Sequence, residues 1–93
     1  MKAHESLVQY ALDNNATVSV WDGEEWQLKR SSNYNDILEA INSVDISELR
    51  FRDKDQDVVI LGWALIVLDN EDYATVSDYT ITPFMTAWEE TQE

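Results

Sequence analysis

Few residues in this chain have types and spacing that point to chemistry. Asp53, Asp55 and Asp57 stand two apart, as at the start of a calcium-binding EF-hand loop, where successive carboxylates turn oxygens toward one cation. That loop then needs a glycine and, at its twelfth position, a bidentate glutamate. Val58 and Ala64 stand there instead, so the segment reads as a solvated turn and no metal site is expected. Asp22 with Glu24 or Glu25 forms a carboxylate pair of the kind glycoside hydrolysis uses. That reaction needs two acids facing each other across a cleft, one of them in apolar surroundings that raise its pKa. With nineteen Asp and Glu in 93 residues, such pairs arise by chance. His4, the single histidine, falls in a first helical turn and reads as a surface group rather than a positioned base. The chain has no cysteine and no Gly-rich phosphate loop. The residues therefore predict no catalytic group, no cofactor and no metal, and a binding protein rather than an enzyme.

The acids carry more meaning as an array. Nineteen carboxylates against six Lys and Arg give a net charge of −13, which repels nucleic acid and anionic membranes and attracts basic surfaces. All the bases (Lys2, Lys29, Arg30, Arg50, Arg52, Lys54) precede position 55, and nine carboxylates follow with no base. If residues 53–57 were extended, Asp53, Asp55 and Asp57 would form a row about 6.7 Å apart. Asp69, Glu71 and Asp72 continue the charge beyond the apolar run that follows. These six carboxylates are the expected recognition residues. The expected partner is a protein with a basic surface, a DNA-binding enzyme being one such, with no direct contact to nucleic acid or membrane.

The elements that must position these groups follow from periodicity. Leu7, Val8, Ala11 and Leu12 share one face of a helix over 4–13, and Asn14-Asn15 suits its stop. Residues 17–21 and 25–29 alternate as a hairpin around Asp22-Gly23. A two-residue turn would mix apolar and polar positions on both faces. One more loop residue sets Val20 opposite Trp26 and Val18 opposite Leu28, so a longer loop is expected. Trp21 then points away from the core with Ser19 and Gln27, and becomes a candidate interface anchor. Asn33 or its serine neighbours cap a helix whose stripe is Tyr34, Ile37, Leu38, Ile41 and Val44. Leu49 and Phe51 alternate with charges on a third strand. The run Val58–Leu68 reads as a central strand buried on both faces, with Gly62 marking a bulge or a close backbone approach. Residues 69–80 mix strand formers with acids. Thr82-Pro83 opens a last helix, with Glu89, Glu90 and Glu93 opposing its dipole at the end.

The order α-β-β-α-β-β-α predicts an α+β fold, an antiparallel sheet of about four strands with helices on one face. The length fits one domain over 1–93. The predicted core is Leu7, Leu12, Val18, Val20, Trp26, Leu28, Ile37, Leu38, Ile41, Phe51, Ile60, Trp63, Leu65, Val67, Phe84 and Trp88. The N-terminus lacks the apolar stretch of a signal peptide, and the longest apolar run is too short to span a bilayer, so a cytoplasmic location is expected.

The segments Ser19-Val20-Trp21-Asp22-Gly23-Glu24-Glu25-Trp26, Leu49-Arg50-Phe51-Arg52-Asp53, Gly62-Trp63-Ala64-Leu65 and Val76-Ser77-Asp78-Tyr79-Thr80 resemble small acidic proteins encoded by bacteriophages. That resemblance is one of class. It implies an inhibitor of a host defence or nucleic-acid enzyme, acting in the host cytoplasm, in some cases as a DNA mimic. His4-Glu5-Ser6-Leu7 and Trp63 to Asp69 also resemble, in order, two segments of the phage uracil-DNA glycosylase inhibitors. That family needs its Glu-Ser pair on an exposed strand, whereas Glu5-Ser6 here begins a helix, and the intervening chain does not match. The alternative expectation is a structural or assembly module, such as a homodimer, whose charge serves solubility.

Overall fold

A computed structural model describes residues 2–92. The chain runs α1 (Ala3–Asp13), β1 (Ala16–Trp21), β2 (Trp26–Ser31), α2 (Tyr34–Asn42), β3 (Ile46–Asp53), β4 (Ile60–Val67), a 3₁₀ turn (Asp72–Ala74), β5 (Val76–Tyr79) and α3 (Pro83–Glu90). The α+β class and element order are as the sequence predicts. The sheet has five strands in the order β2-β1-β3-β4-β5, every neighbouring pair antiparallel. The extra strand, β5, comes from the mixed segment 69–80. Since β2 and β3 both flank β1, α2 is the crossover that carries the chain over β1.

Local signals place the helices. Asn33 accepts the Asp36 N–H at 3.0 Å, and Thr82 Oγ1 accepts the Met85 N–H at 3.3 Å with Pro83 in the first turn. Asn15 adopts φ 61° just past α1, a left-handed position that asparagine tolerates. Glu5 and Ser6 lie within α1, not on a strand. Glu89 and Glu90 are exposed at the end of α3, and Glu93 lies outside the described residues.

The core forms between the helices and one sheet face. Leu7, Val8 and Ala11 of α1, Ile37, Leu38 and Ile41 of α2, and Met85 and Trp88 of α3 meet Ala16, Val18, Val20, Leu49, Phe51, Ala64 and Ile66. Leu12, Leu28 and Phe84 pack partly buried against them. Five expected core residues lie elsewhere. Ile60, Trp63, Leu65 and Val67 point to the face opposite the helices, and Trp26 joins them beside Trp21. The run 58–68 suits a strand buried on both sides, but the helices cover a single face, so β4 alternates instead. Gly62 and Ala64 take the inner positions because α3 settles on them. A Cβ on Gly62 would lie 2.8 Å from Met85 Cγ and 2.9 Å from Thr80 Oγ1, the close approach the glycine signals.

The hairpin also departs from expectation in detail. Its loop, Asp22–Glu25, is longer than two residues, but Trp26 pairs with Trp21 rather than Val20, and Leu28 pairs with Val20 rather than Val18. Two irregularities in β2 absorb the difference. At the second, Arg30 takes φ 52° and donates its N–H to Ser19 Oγ at 2.9 Å.

This inner and outer division predicts unequal costs. Ile41→Ala or Ile66→Ala should lose about 2–5 kcal/mol of unfolding free energy. Leu65→Ala, on the uncovered face, should lose about 1 kcal/mol or less. Urea titration at pH 7 reads both, and equal losses would mean that the outer face is core as well.

Candidate functional site

The uncovered face is ordered by register. Trp21, Glu48, Leu65 and Asp78 lie side by side across β1, β3, β4 and β5. The neighbouring row holds Ser19, Arg50 and Trp63, and the next holds Thr17 and Arg52. Ile46 and Val67 pair at one end. Trp21 and Trp26 meet edge to face with ring centroids 5.1 Å apart, and the Arg50 guanidinium sits 5.3 Å from the Trp26 ring. Three of the chain's four tryptophans therefore stand on the face that no helix covers. Trp21 points away from the core as its alternation predicts, whereas Trp26 leaves the core because it pairs with Trp21 rather than Val20, and Trp63 because β4 alternates.

The six expected carboxylates divide between opposite ends of β4, which spans roughly 23 Å. Asp53, Asp55 and Asp57 are not an extended row. Asp53 Oδ1 accepts the N–H groups of Asp55 and Gln56, both at 2.9 Å, which folds the segment into a turn. Asp55 accepts from the Asn15 side chain at 2.8 Å, and Asp57 pairs with Arg30 at 2.7 Å. Among the described residues, no group of three His, Cys, Asp or Glu side chains is placed to hold a metal ion.

Asp69, Glu71 and Asp72 lie at the other end and gain neighbours that spacing does not reveal. Leu68 donates its N–H to Asp45 O at 3.0 Å, Val67 pairs with Ile46, and Glu48 pairs with Trp21. The β1–β2 loop, the α2–β3 connection and the β4–β5 connection thus arrive at one edge of the fold. They bring Asp22, Glu24, Glu25, Asp45, Asp69, Glu71 and Asp72 together with no Lys or Arg in any of the three segments. Between these segments and the tryptophans lies a notch of about 200 Å³, with Trp21, Ile46 and Leu65 as apolar lining and Asp22 and Glu48 as its charges. Ile46 is 55% exposed there.

Hydrogen bonds order the Asp22 carboxylate and the backbone of the β4–β5 connection. Asp22 accepts the Glu24 and Glu25 N–H groups at 2.7 and 2.8 Å and the Gln27 side chain at 2.6 Å. The Glu25 backbone bond, followed by those from Glu24 and Gln27, lowers its pKa from the ordinary carboxylate value. The β4–β5 connection is a chain of turns. Asn70 bonds back to Val67 O at 3.3 Å and by its side chain to Ala74 O at 3.0 Å, and Ala74 N–H reaches Glu71 O at 2.7 Å.

His4 anchors this connection, and here the sequence reading is corrected. His4 is 1% exposed rather than a surface group. Its backbone N–H donates to Thr75 Oγ1 at 3.1 Å, and Nδ1 lies 3.1 Å from the same oxygen. The Thr75 hydroxyl donates to Asp72 O at 3.3 Å, so Nδ1–H is the donor to Thr75. Nε2 is then a buried acceptor with no partner among the described residues. Burial lowers the imidazole pKa, outweighing the opposite pull of Glu5. Long-range contact between residues 71 positions apart leaves no local sequence signal.

Comparison with protein-family models, curated proteins and solved structures finds no match. Among the described residues no helix is long and apolar enough to cross a membrane.

The depressed His4 pKa has a sign. The folded state takes up the proton less readily than the unfolded chain, so this contribution is full above about pH 6.5 and is lost as pH falls below it. Thermal melting between pH 7.5 and 5.5 should show the midpoint dropping in the parent. His4→Gln keeps a donor toward Thr75 without titrating, and should flatten that slope. An identical slope in both would remove His4 as its cause.

Proposed function

We propose that this is a non-catalytic binding protein that captures a basic surface of another protein at its acidic edge. The supporting observation is the notch. Trp21, Ile46 and Leu65 offer an apolar wall, Asp22 and Glu48 stand beside it, and six further carboxylates lie in the three connections at the same edge. A lysine or arginine side chain has matching chemistry, an aliphatic stem ending in a cation. A basic partner would insert such a side chain in the notch while its surrounding charges meet Asp45, Asp69, Glu71 and Asp72. The Asp22 carboxylate, already fixed by hydrogen bonds, loses little entropy on docking. A nucleic-acid-processing enzyme has a surface of this kind, and inhibition of such an enzyme by a phage-type protein is the specific form of the proposal. The folded turn at Asp53–Asp57 gives no support to a phosphate-like row there, so the mimicry reading rests on the opposite edge.

A second reading, a homodimer through the uncovered face, is favoured by Trp21, Trp26 and Trp63 standing without a covering element. Sedimentation separates the two, since apolar pairing of like acidic chains strengthens with salt whereas charge-driven capture weakens.

The test combines charge and anchor. Neutralising Asp69, Glu71 and Asp72 to Asn, Gln and Asn should leave the fold intact. It should slow association with a partner isolated from bacterial lysate by about tenfold at low salt, and flatten the salt dependence. Trp21→Ala should leave the salt slope alone and raise dissociation instead. Unchanged rates in both variants would reduce this edge to a solvated surface.

A further inference from the structure

The opposite end of the uncovered face has the reverse character. Lys29, Arg30, Arg50 and Arg52, four of the chain's six bases, share it. A shallow cleft of about 170 Å³ lies between Ser19, Trp26, Lys29, Arg30 and Arg52. At about 30 Å³ per water, it has room for several waters or for one tetrahedral oxyanion. In a chain with three times as many acids as bases, the expected arrangement is that each base finds a carboxylate. Here one does. Arg30 pairs with Asp57 at 2.7 Å, the single ion pair among the described residues. Arg52 donates to the backbone carbonyl of Asp57 at 3.2 Å, which holds its guanidinium without neutralising it. Arg50 rests on Trp26. Lys29, Arg30 and Arg52 line the cleft, with the Asp57 carboxylate paired to Arg30 and with Asp53 and Asp55 on the adjoining turn.

Two further features belong to the same spot. The left-handed backbone at Arg30 is a strained conformation for a residue with a side chain, and it coincides with the β2 irregularity that sets Lys29 and Arg30 at the cleft. Thr17, beside the cleft and paired in register with Arg52, is only 9% exposed although no helix covers its face, and its hydroxyl has no hydrogen-bond partner.

We infer that this cleft binds a phosphate group, held by Lys29 and Arg52, with Trp26 as the wall against which the attached organic moiety lies. Paired guanidinium and ammonium donors match the oxygens of a phosphate, and an indole face accepts a ring by stacking. The net charge of −13 does not forbid this. From Arg52 to Ile46 the strand covers roughly 20 Å, and at 0.15 M salt the Debye length is about 8 Å, so the acidic edge is screened from the cleft. The inference is independent of the docking proposal, which uses the other end of the face.

The test is titration of the folded protein with inorganic phosphate and, separately, with a nucleoside monophosphate at 0.15 M salt, followed by amide, indole and guanidinium NMR shifts. Saturable shifts at Lys29, Arg52 and the Trp26 indole, with a dissociation constant on the order of 1 mM, are expected for phosphate, and tighter binding for the monophosphate. Lys29→Gln and Arg52→Gln should each weaken binding about tenfold, while Lys54→Gln, outside the cleft, should not. Lys29 is exposed and its replacement leaves the fold untouched, so a misfolded Arg52 variant would not obscure the result. Absence of saturation with both probes up to about 10 mM, or equal binding in the Lys29 and Lys54 variants, overturns the inference. Equal affinity for the two probes would remove Trp26 from the site.

Discussion

Every feature of this protein depends on one constraint: three short helices cover one face of a five-stranded sheet and leave the other bare. A strand's side chains alternate between faces, so each strand must divide its residues between a dry interior and water. Leu49 and Phe51 go inward on β3 while Glu48, Arg50 and Arg52 go outward. On β4 the same rule puts Gly62, Ala64 and Ile66 inward and Trp63, Leu65 and Val67 outward. Small residues occupy the inner side because α3 packs so closely there. The large apolar residues are thereby displaced to the bare face.

That displacement has an electrostatic counterpart. Like charges at close range raise the energy of the compact state, and a chain at −13 must spread or solvate them. Here the chain's connections separate them. Those at one edge hold carboxylates without bases, and at the other edge the turn carrying Asp53, Asp55 and Asp57 meets bases of β2 and β3. The bare face is accordingly graded along its strands, from acidic and apolar to aromatic and basic.

The buried His4–Thr75 contact ties this surface to the core. It joins the first turn of α1 to the connection that carries Asp69, Glu71 and Asp72, and it does so with an imidazole that burial holds in its neutral form. Ordering of the acidic edge is therefore coupled to the seating of the N-terminal helix, through one side chain with an unsatisfied buried nitrogen.

Sequence alone determined the element order, the caps and the inner faces of the helices. Asn33, Thr82, Pro83 and the stripe Ile37, Leu38 and Ile41 act through contacts within one or two turns, and such contacts are visible as spacing. The outward direction of Trp21 was equally legible, from its alternation with Val18 and Val20. Tertiary structure decided the rest. Which side of β4 faces the helices could not be read from an unbroken apolar run, because both sides are apolar and only the position of α3 chooses between them. The turn at Asp53 followed from side-chain bonds to Asp55 and Gln56 that compete with extension. The gathering of Asp22, Asp45 and Asp69, the cleft around Lys29 and Arg52, and the burial of His4 all join residues far apart in the chain. Their meeting is fixed by strand pairing, whose register depends on the whole sheet rather than on any one segment.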